Sequence, residues 1–365
     1  MLLQKVIPTN ELIGLLGCVR VGDGSVAFWH EKKLRDLGIE MKGIIDPDSV
    51  KQKKAAKRGI KVFSSLAEAA GSHPFFWDIC CPTKYHLEII RDIIKIDDRA
   101  NIIVEKPVCS YCEIKNLSEL LKNFKGKLVV NENYITSLVT QKIKELIIDM
   151  GLTPHKVVSE MTKNRINDFI NGRFLDNNLG AFGYEGSHIV TNVMALGKQY
   201  LPREIGDVFY KDLYIDVNGT KQHLPKQAMA EKHYRAVNGA EVVLYTSMEG
   251  HIKHLYPGYS QNLYQAPEDP HTRYRVLAVE DRNQGITVAG FYEPILGQNR
   301  GEGRVVVCKD GIVQKIIPHI VDDTMGRTLK NAIEYFQGKR ENPCPASVAI
   351  GIVEIMNLWY GENNE

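Results

Sequence analysis

The segment Asn101-Ile-Ile-Val-Glu-Lys-Pro-Val108 is an apolar run that ends in Glu105, Lys106 and Pro107. In a parallel sheet, strand carboxyl ends face the ligand crevice. A lysine at such an edge can hold a substrate oxygen and stabilise negative charge developing on it. The proline behind it fixes the backbone, and with it the direction of the lysine. The ordinary alternative for any lysine is a solvated place on the surface. Downstream, Cys109-Ser-Tyr-Cys112 is formally a C-x-x-C. It lacks the second pair a zinc site needs and the context of a redox motif, so it reads as chance and no metal is expected.

A second group of residues has the spacing of a dinucleotide site. Gly17-Cys-Val-Arg-Val-Gly22-Asp-Gly24-Ser-Val-Ala27 follows the apolar run Leu12–Leu16. Such a site needs a glycine-rich turn that brings backbone N–H groups close to a pyrophosphate at a helix N-terminus. Two frames compete. One starts at Gly17, with Val19 replacing the middle glycine. The other starts at Gly22 and continues through Gly24 to Ala27. Asp46 lies 24 residues after Gly22 and 29 after Gly17, against roughly 20 in typical sites, which favours the second frame. The second frame also places Arg20 inside a central strand, where an unpaired charge is costly. The expected arrangement is therefore the first frame, with Leu12–Leu16 as the strand and a lengthened turn that Gly22 and Gly24 help to bend. Asp46 ends an apolar strand, where its carboxylate would accept ribose hydroxyls and repel a 2′-phosphate, favouring NAD over NADP. Its other use is to cap the following helix, for which Ser49 is an alternative.

The elements around these residues suit the same chemistry. Over the first 134 residues apolar strands alternate with helical segments, which implies βαβ units and a doubly wound parallel sheet, a Rossmann domain. Strands are expected at 41–45, 61–63, 75–80, 101–104 and 127–130, and helices at 26–37, 49–58, 65–70, 85–94 and 114–123. Over 135–365 the strands lengthen and alternate, at 156–162, 208–217, 241–249, 275–280, 285–289 and 304–308. That reads as an α+β domain with a large, mostly antiparallel sheet, and its last helix is expected to pack back on the first domain. Helices near 184–195, 324–337 and 346–359 complete the pattern.

Composition excludes several classes. The net charge is +2, from 46 basic and 44 acidic residues, so no nucleic-acid partner is implied. No run approaches the roughly 18 apolar residues of a membrane span. The first residues lack a secretory signal, and seven scattered cysteines suit reduced thiols, so the expected compartment is the cytoplasm.

Taken together, the Glu105-Lys106-Pro107 segment and this layout resemble the Gfo/Idh/MocA oxidoreductases. Ile79-Cys-Cys-Pro-Thr83-Lys-Tyr-His86 resembles the family segment that lines the nicotinamide side. Leu128-Val-Val-Asn-Glu-Asn133 resembles the strand entering the second domain, and Leu179 to His188 resembles the catalytic helix. The resemblance implies cofactor contacts from Pro82, Thr83, His86, Glu105, Lys106 and Asn133, beside Gly17, Val19, Gly22, Gly24 and Asp46. It implies His188 as the acid or base that exchanges the hydroxyl proton. It places Lys163 and Arg165 against substrate, and Asn167, Asp168 and Arg173 near it. The family's usual aspartate four residues before the histidine is here Tyr184. A phenol titrates near ~10 and cannot orient an imidazole as a carboxylate would. Tyr184 could donate a hydrogen bond to substrate, and Glu185 is a candidate for the missing carboxylate.

The resulting expectation is an NAD-dependent dehydrogenase or reductase acting on a CH–OH or carbonyl carbon of a sugar, amino sugar or cyclitol. It would work as a homodimer or homotetramer with a small polyol or sugar-like partner. A reductase of imines or other carbonyls with Tyr184 as proton donor, and a dinucleotide-binding regulator without turnover, are the alternatives.

Overall fold

The structure, a computed structural model, describes residues 16–172, 175–258, 273–292 and 301–359. The chain divides into two units, one of residues 1–132 and 325–353, the other of 133–324 and 354–365.

In the first unit, strands and helices alternate: β1 (Gly17–Val21), α1 (Ser25–Asp36), β2 (Glu40–Ile45), α2 (Ser49–Lys57), α3 (Leu66–Ala70), β3 (Phe76–Ile79), α4 (His86–Ile96), β4 (Asn101–Glu105), α5 (Ile114–Lys122) and β5 (Lys127–Asn131). The strands form one parallel sheet in the order β2-β1-β3-β4-β5. The expected strand at 61–63 is reduced to one bridge, Val62 to Ile44. α2 is capped by Asp48, whose carboxylate accepts from the Val50 N–H at 2.8 Å, rather than by Ser49.

The first strand corrects the expected register. β1 runs from Gly17 to Val21, and all five residues are buried. Leu12 to Leu15, expected as strand, lie outside the described residues, and Leu16 precedes β1.

The second unit contains α6 (Leu138–Asp149), β6 (Lys156–Lys163), α7 (Ile166–Ile170), α8 (Phe182–Leu196), β7 (Pro202–Val217), β8 (Thr220–Ala236), β9 (Glu241–Ser247), β10 (Arg273–Asp281), β11 (Ile286–Phe291), β12 (Glu302–Lys309) and β13 (Ile312–Val321). Its sheet has the order β13-β12-β11-β10-β6-β9-β8-β7. Only the β6–β9 pair is parallel; every other neighbouring pair is antiparallel. α8 lies on one face, where Ser159 Oγ donates to the Ile189 carbonyl at 3.1 Å. On the other face, Glu160 accepts the backbone N–H groups of Lys253 at 3.0 Å and His254 at 2.8 Å. Val158, Val243, Tyr274, Val276 and Phe291 form the core on that side. The fold class is thus an α/β Rossmann domain with an α+β domain built on a large, mostly antiparallel sheet.

Two final helices follow, α9 (Thr324–Phe336) and α10 (Ala346–Asn357). Leu329, Ala332, Ile333 and Phe336 of α9 pack with Cys18, Phe76, Ile103 and Val129 in the core of the first unit. Among the described residues, no helix is long and apolar enough to cross a membrane.

Candidate functional site

Four loops leave the carboxyl ends of β1 to β4 in the first unit. Gly22 follows β1 with φ +90°, and its N–H donates to the Ile45 carbonyl at 2.8 Å. A Cβ on Gly22 would lie 2.8 Å from the Cys81 backbone. Gly24 caps α1 with ordinary dihedrals and no side-chain cap bond, and α1 has no acidic residue in its first turn. A Cβ on Gly24 would meet nothing within 4 Å. The turn therefore offers unsatisfied N–H groups, an open approach and the positive end of a helix dipole. Those are the requirements of a pyrophosphate, so the turn fits a dinucleotide.

This geometry selects the frame that starts at Gly22 and corrects the expected one. Gly17 and Val19 lie within β1, and Val19 has no solvent exposure. They are strand residues, not part of the phosphate turn. The objection to this frame was Arg20, and the fold removes it. Arg20 and Asp78 are register partners on β1 and β3, and Arg20 Nε donates to Asp78 Oδ2 at 2.9 Å.

The two glycines give a test of the turn. Gly22→Ala should cost about 1–3 kcal/mol of stability, from left-handed strain and a backbone clash. Gly24→Ala should leave the unfolding midpoint unchanged and weaken NAD binding by about tenfold or more. Thermal unfolding and NADH fluorescence titration check the pair. Equal behaviour of the two variants would contradict this reading of the turn.

Asp46 follows β2 and is 4% exposed. Its carboxylate accepts the N–H groups of Asp23 at 2.7 Å and Asp48 at 2.9 Å, and pairs with Lys51 at 3.3 Å. It staples the phosphate turn to the end of β2.

Beneath α1 lies a buried polar network. His30, with no solvent exposure, places Nδ1 2.8 Å from Asp78 Oδ1 and Nε2 2.8 Å from Glu105 Oε1. Asn131 Nδ2 donates to the same Glu105 oxygen. Burial opposes the imidazolium, but Cys80 and Asp78 outweigh it, and His30 titrates well above its ordinary value. Burial likewise opposes the charged forms of Asp78 and Glu105. Asp78 is nevertheless held far below the usual carboxylate range by His30 and Arg20, and Glu105 is lowered by His30 and Asn131. His30, Asp78 and Cys80 bring three donor atoms within 4.8 Å of one another, a spacing a metal could use. Both imidazole nitrogens already face carboxylates at hydrogen-bond distance, and the Arg20 guanidinium adjoins Asp78, so the cluster is an ion network.

Glu105 is thus committed to His30 and Asn131 and is 8% exposed; it positions Lys106 and is not placed to contact a cofactor. Lys106 is half-buried after β4, and the Lys106–Pro107 peptide is cis. His86 is also buried, with its ring between the Pro107 carbonyl at 2.9 Å and the Cys81 carbonyl at 2.9 Å. Burial lowers its pKa, leaving a neutral ring that donates to one of them. His86 ties the loop after β3 to the one after β4, a positioning role in place of the expected cofactor contact. Pro82 is exposed and Thr83 partly exposed at the carboxyl end of β3.

In the second unit, α8 presents Tyr184, Glu185 and His188. The Tyr184 hydroxyl donates to Gln227 Oε1 at 2.8 Å and accepts from the Asp176 N–H at 3.2 Å, and its ring packs edge-on to Phe169. Both hydrogen bonds hold structure, which removes the observation behind a tyrosine proton donor. Glu185 is committed first to two arginines. Its carboxylate pairs with Arg165, and with Arg275 at 3.4 Å. Burial would raise the Glu185 pKa, but Arg275 and Arg165 hold it far below the carboxylate range. His188 is half-buried, its ring 5.0 Å from that of Tyr134. Arg165 also pairs with Asp168 at 3.0 Å. Lys163 ends β6, half-buried; Asn167 is exposed, and Asn133 donates to Thr324 at 3.2 Å. Arg173 lies outside the described residues.

Sequence reasoning missed His30, Asp78 and Asn131, and also Arg273 and Arg275. A signal existed for the first group. Arg20 and Asp78 are opposite charges interrupting two apolar strands, which is tolerable only if they meet. Arg273 and Arg275 were legible as basic residues at alternate positions opening a strand.

Comparisons agree with the fold. Residues 12–132 match the model of the Gfo/Idh/MocA oxidoreductase family, NAD-binding Rossmann fold. None of the curated proteins matches the chain significantly. Among solved structures, an oxidoreductase from Thermotoga maritima aligns with TM-score 0.69 at 14% identity, covering 93% of this chain and 94% of its own. UDP-N-acetylglucosamine 3-dehydrogenase GnnA from Acidithiobacillus ferrooxidans aligns with TM-score 0.67 at 13% identity, covering 94% and 96%. GenD2 from gentamicin A biosynthesis, solved with NAD, aligns with TM-score 0.65 at 15% identity, covering 94% and 92%. At such identities these likenesses carry the fold alone. The first domain, with the glycine turn and strand-end lysine described above, thus matches the Gfo/Idh/MocA oxidoreductase family, NAD-binding Rossmann fold, over residues 12–132.

Proposed function

We propose that the protein is an NAD-dependent dehydrogenase or reductase acting on a CH–OH or carbonyl carbon of a sugar-like substrate. One observation carries the reading. Gly22, Asp46, Pro82 and Lys106 all stand at the carboxyl ends of the neighbouring strands β1 to β4, the edge where such sheets bind ligands.

In this reading the Gly22–Gly24 turn and the N-terminus of α1 hold the pyrophosphate. Asp46, buried and already paired with Lys51, opposes a 2′-phosphate and favours NAD over NADP. The Lys106 ammonium holds the reacting oxygen and stabilises charge developing on it. Glu105, fixed by His30 and Asn131, keeps the start of that loop in place. His188 takes or returns the hydroxyl proton, a role suited to an imidazole whose ordinary pKa is near ~6.5. The nicotinamide, when bound, supplies or accepts the hydride. Sugar dehydrogenation by GnnA, a structural neighbour, supports the substrate class.

Titration with NADH and NADPH tests the first half. NADH should bind at least about tenfold more tightly, and equal affinities would remove the role given to Asp46. A screen of polyols, sugars and amino sugars for absorbance change at the nicotinamide band tests the second. NAD binding with no turnover across that screen would favour a regulator.

A further inference from the structure

β6 and β10 pair in register so that Lys163 stands opposite Arg273 and Met161 opposite Arg275. Alternate residues of a strand share a face. Ser159, on the same face as Lys163, bonds to α8, so Lys163, Arg273 and Arg275 lie on the side of the sheet that carries Glu185 and His188. Arg165 joins them two residues beyond Lys163. This corner of the second unit therefore gathers four cationic side chains; among the described residues, Asp168 pairs with Arg165, and Glu185 pairs with Arg165 and Arg275.

The pairing is uneven. Arg165 takes both carboxylates, and Arg275 shares Glu185. Among the described residues no carboxylate lies within ion-pair distance of Lys163. Its ammonium is half-buried, and the charged groups that act on it are Arg165 and Asp168 at the start of α7, Arg273 on β10 and Glu185 on α8. Burial, then Arg165 and Arg273, lower its pKa to about 8. A surface lysine avoids such a place, because desolvation and like charge both cost free energy there. An anion between the three cations offsets both.

We propose that the substrate carries an anionic group, a carboxylate or phosphate, seated between Lys163, Arg165 and Arg273. This deepens the oxidoreductase reading and rests on it: the ligand is an acidic or phosphorylated sugar, held by its charge at the end of β6. Guanidinium groups supply the planar, forked donors that such anions take, and the lysine supplies a point charge.

The test uses the NAD-saturated protein, so that the dinucleotide occupies its own anion site. Calorimetric titrations compare D-glucose, D-glucuronate and D-glucose 6-phosphate. At least one anion should bind about tenfold or more tightly than glucose, and whichever it is identifies carboxylate or phosphate. Lys163→Met and Arg273→Met, made separately so that loss of folding in one leaves the other, should each reduce that advantage, read as the ratio of anion to glucose affinity within the same variant, by about tenfold. A protonated lysine favours the anion, so glucuronate affinity should fall as pH rises through about 8, and Lys163→Met should flatten that profile. Anions that bind no more tightly than glucose, or variants that keep the full advantage, overturn the proposal. Failure of NAD itself to bind overturns the reading beneath it. NAD binding with a preference for neutral glucose overturns the anion site alone.

Discussion

Replacing Lys106 by alanine should lower kcat by about 10²–10³-fold, the usual loss when one donor to a developing oxyanion is removed, and should change the NAD dissociation constant by less than about threefold. The separation follows from position. The turn that fits the pyrophosphate lies after β1, whereas Lys106 follows β4, two strands away in the sheet order. The backbone of the lysine is held independently of its side chain, by Glu105 locked to His30 and Asn131 and by His86 bonded to the Pro107 carbonyl. Truncation should therefore remove the ammonium and leave the loop in place. Lys106→Arg should restore little, since a planar fork does not reproduce a compact point charge. Stopped-flow absorbance gives turnover and fluorescence gives the dissociation constant. Turnover of Lys106→Ala within about tenfold of wild type would end the case for this lysine.

The second large effect concerns stability. Asp78→Ala should destabilise the fold by about 3–5 kcal/mol, because it leaves two buried cations without their shared partner. Arg20 and His30 have no solvent exposure and both bond to Asp78. Arg20→Met should cost less, since Asp78 keeps His30. Urea unfolding at pH 7 measures both; a cost of Asp78→Ala below about 1 kcal/mol would show that the network stabilises little. The pH dependence has a definite sign. The Asp78 pKa is depressed in the fold, so its stabilisation is complete above the ordinary carboxylate range, near ~4, and is lost as pH falls through the folded value. The His30 pKa is raised, so its contribution is complete below about 6.5 and is lost as pH rises through the higher folded value. Wild type should hold a stability plateau around neutrality, and Asp78→Ala should lose part of the acid limb.

Much of the architecture was legible because its signals are local. The runs at 41–45, 75–80, 101–104 and 127–130 fall on β2 to β5 within two residues, and the helical stretch at 184–195 falls on α8. Lys106 stands at the strand end its neighbours implied. Four elements went unread: α6, the short α7, β8 and β13. α6 repeats apolar residues at Val139, Ile143 and Leu146, a helical spacing open to reading. β13 was masked by its exposed, mixed composition. β8 contains Lys221, Lys226, Glu231, Lys232 and Arg235, charges that hide its alternation until its two neighbouring strands are in place.

The sequence by itself determined the alternation of elements, the strand-end lysine, the candidate glycines and the histidine of α8, since each depends on residue type and spacing along the chain. Only the tertiary structure decided which glycines make the turn, because Arg20 is acceptable in β1 through Asp78, 58 residues away, with Glu31 at 3.5 Å as a second partner. It decided in the same way that Glu105 and His86 are holders of the Lys106 loop, that Tyr184 is spent on Gln227, and that Glu185 belongs to two arginines. A charge is affordable in a low-dielectric interior only beside its partner, and those partners come from distant parts of the chain.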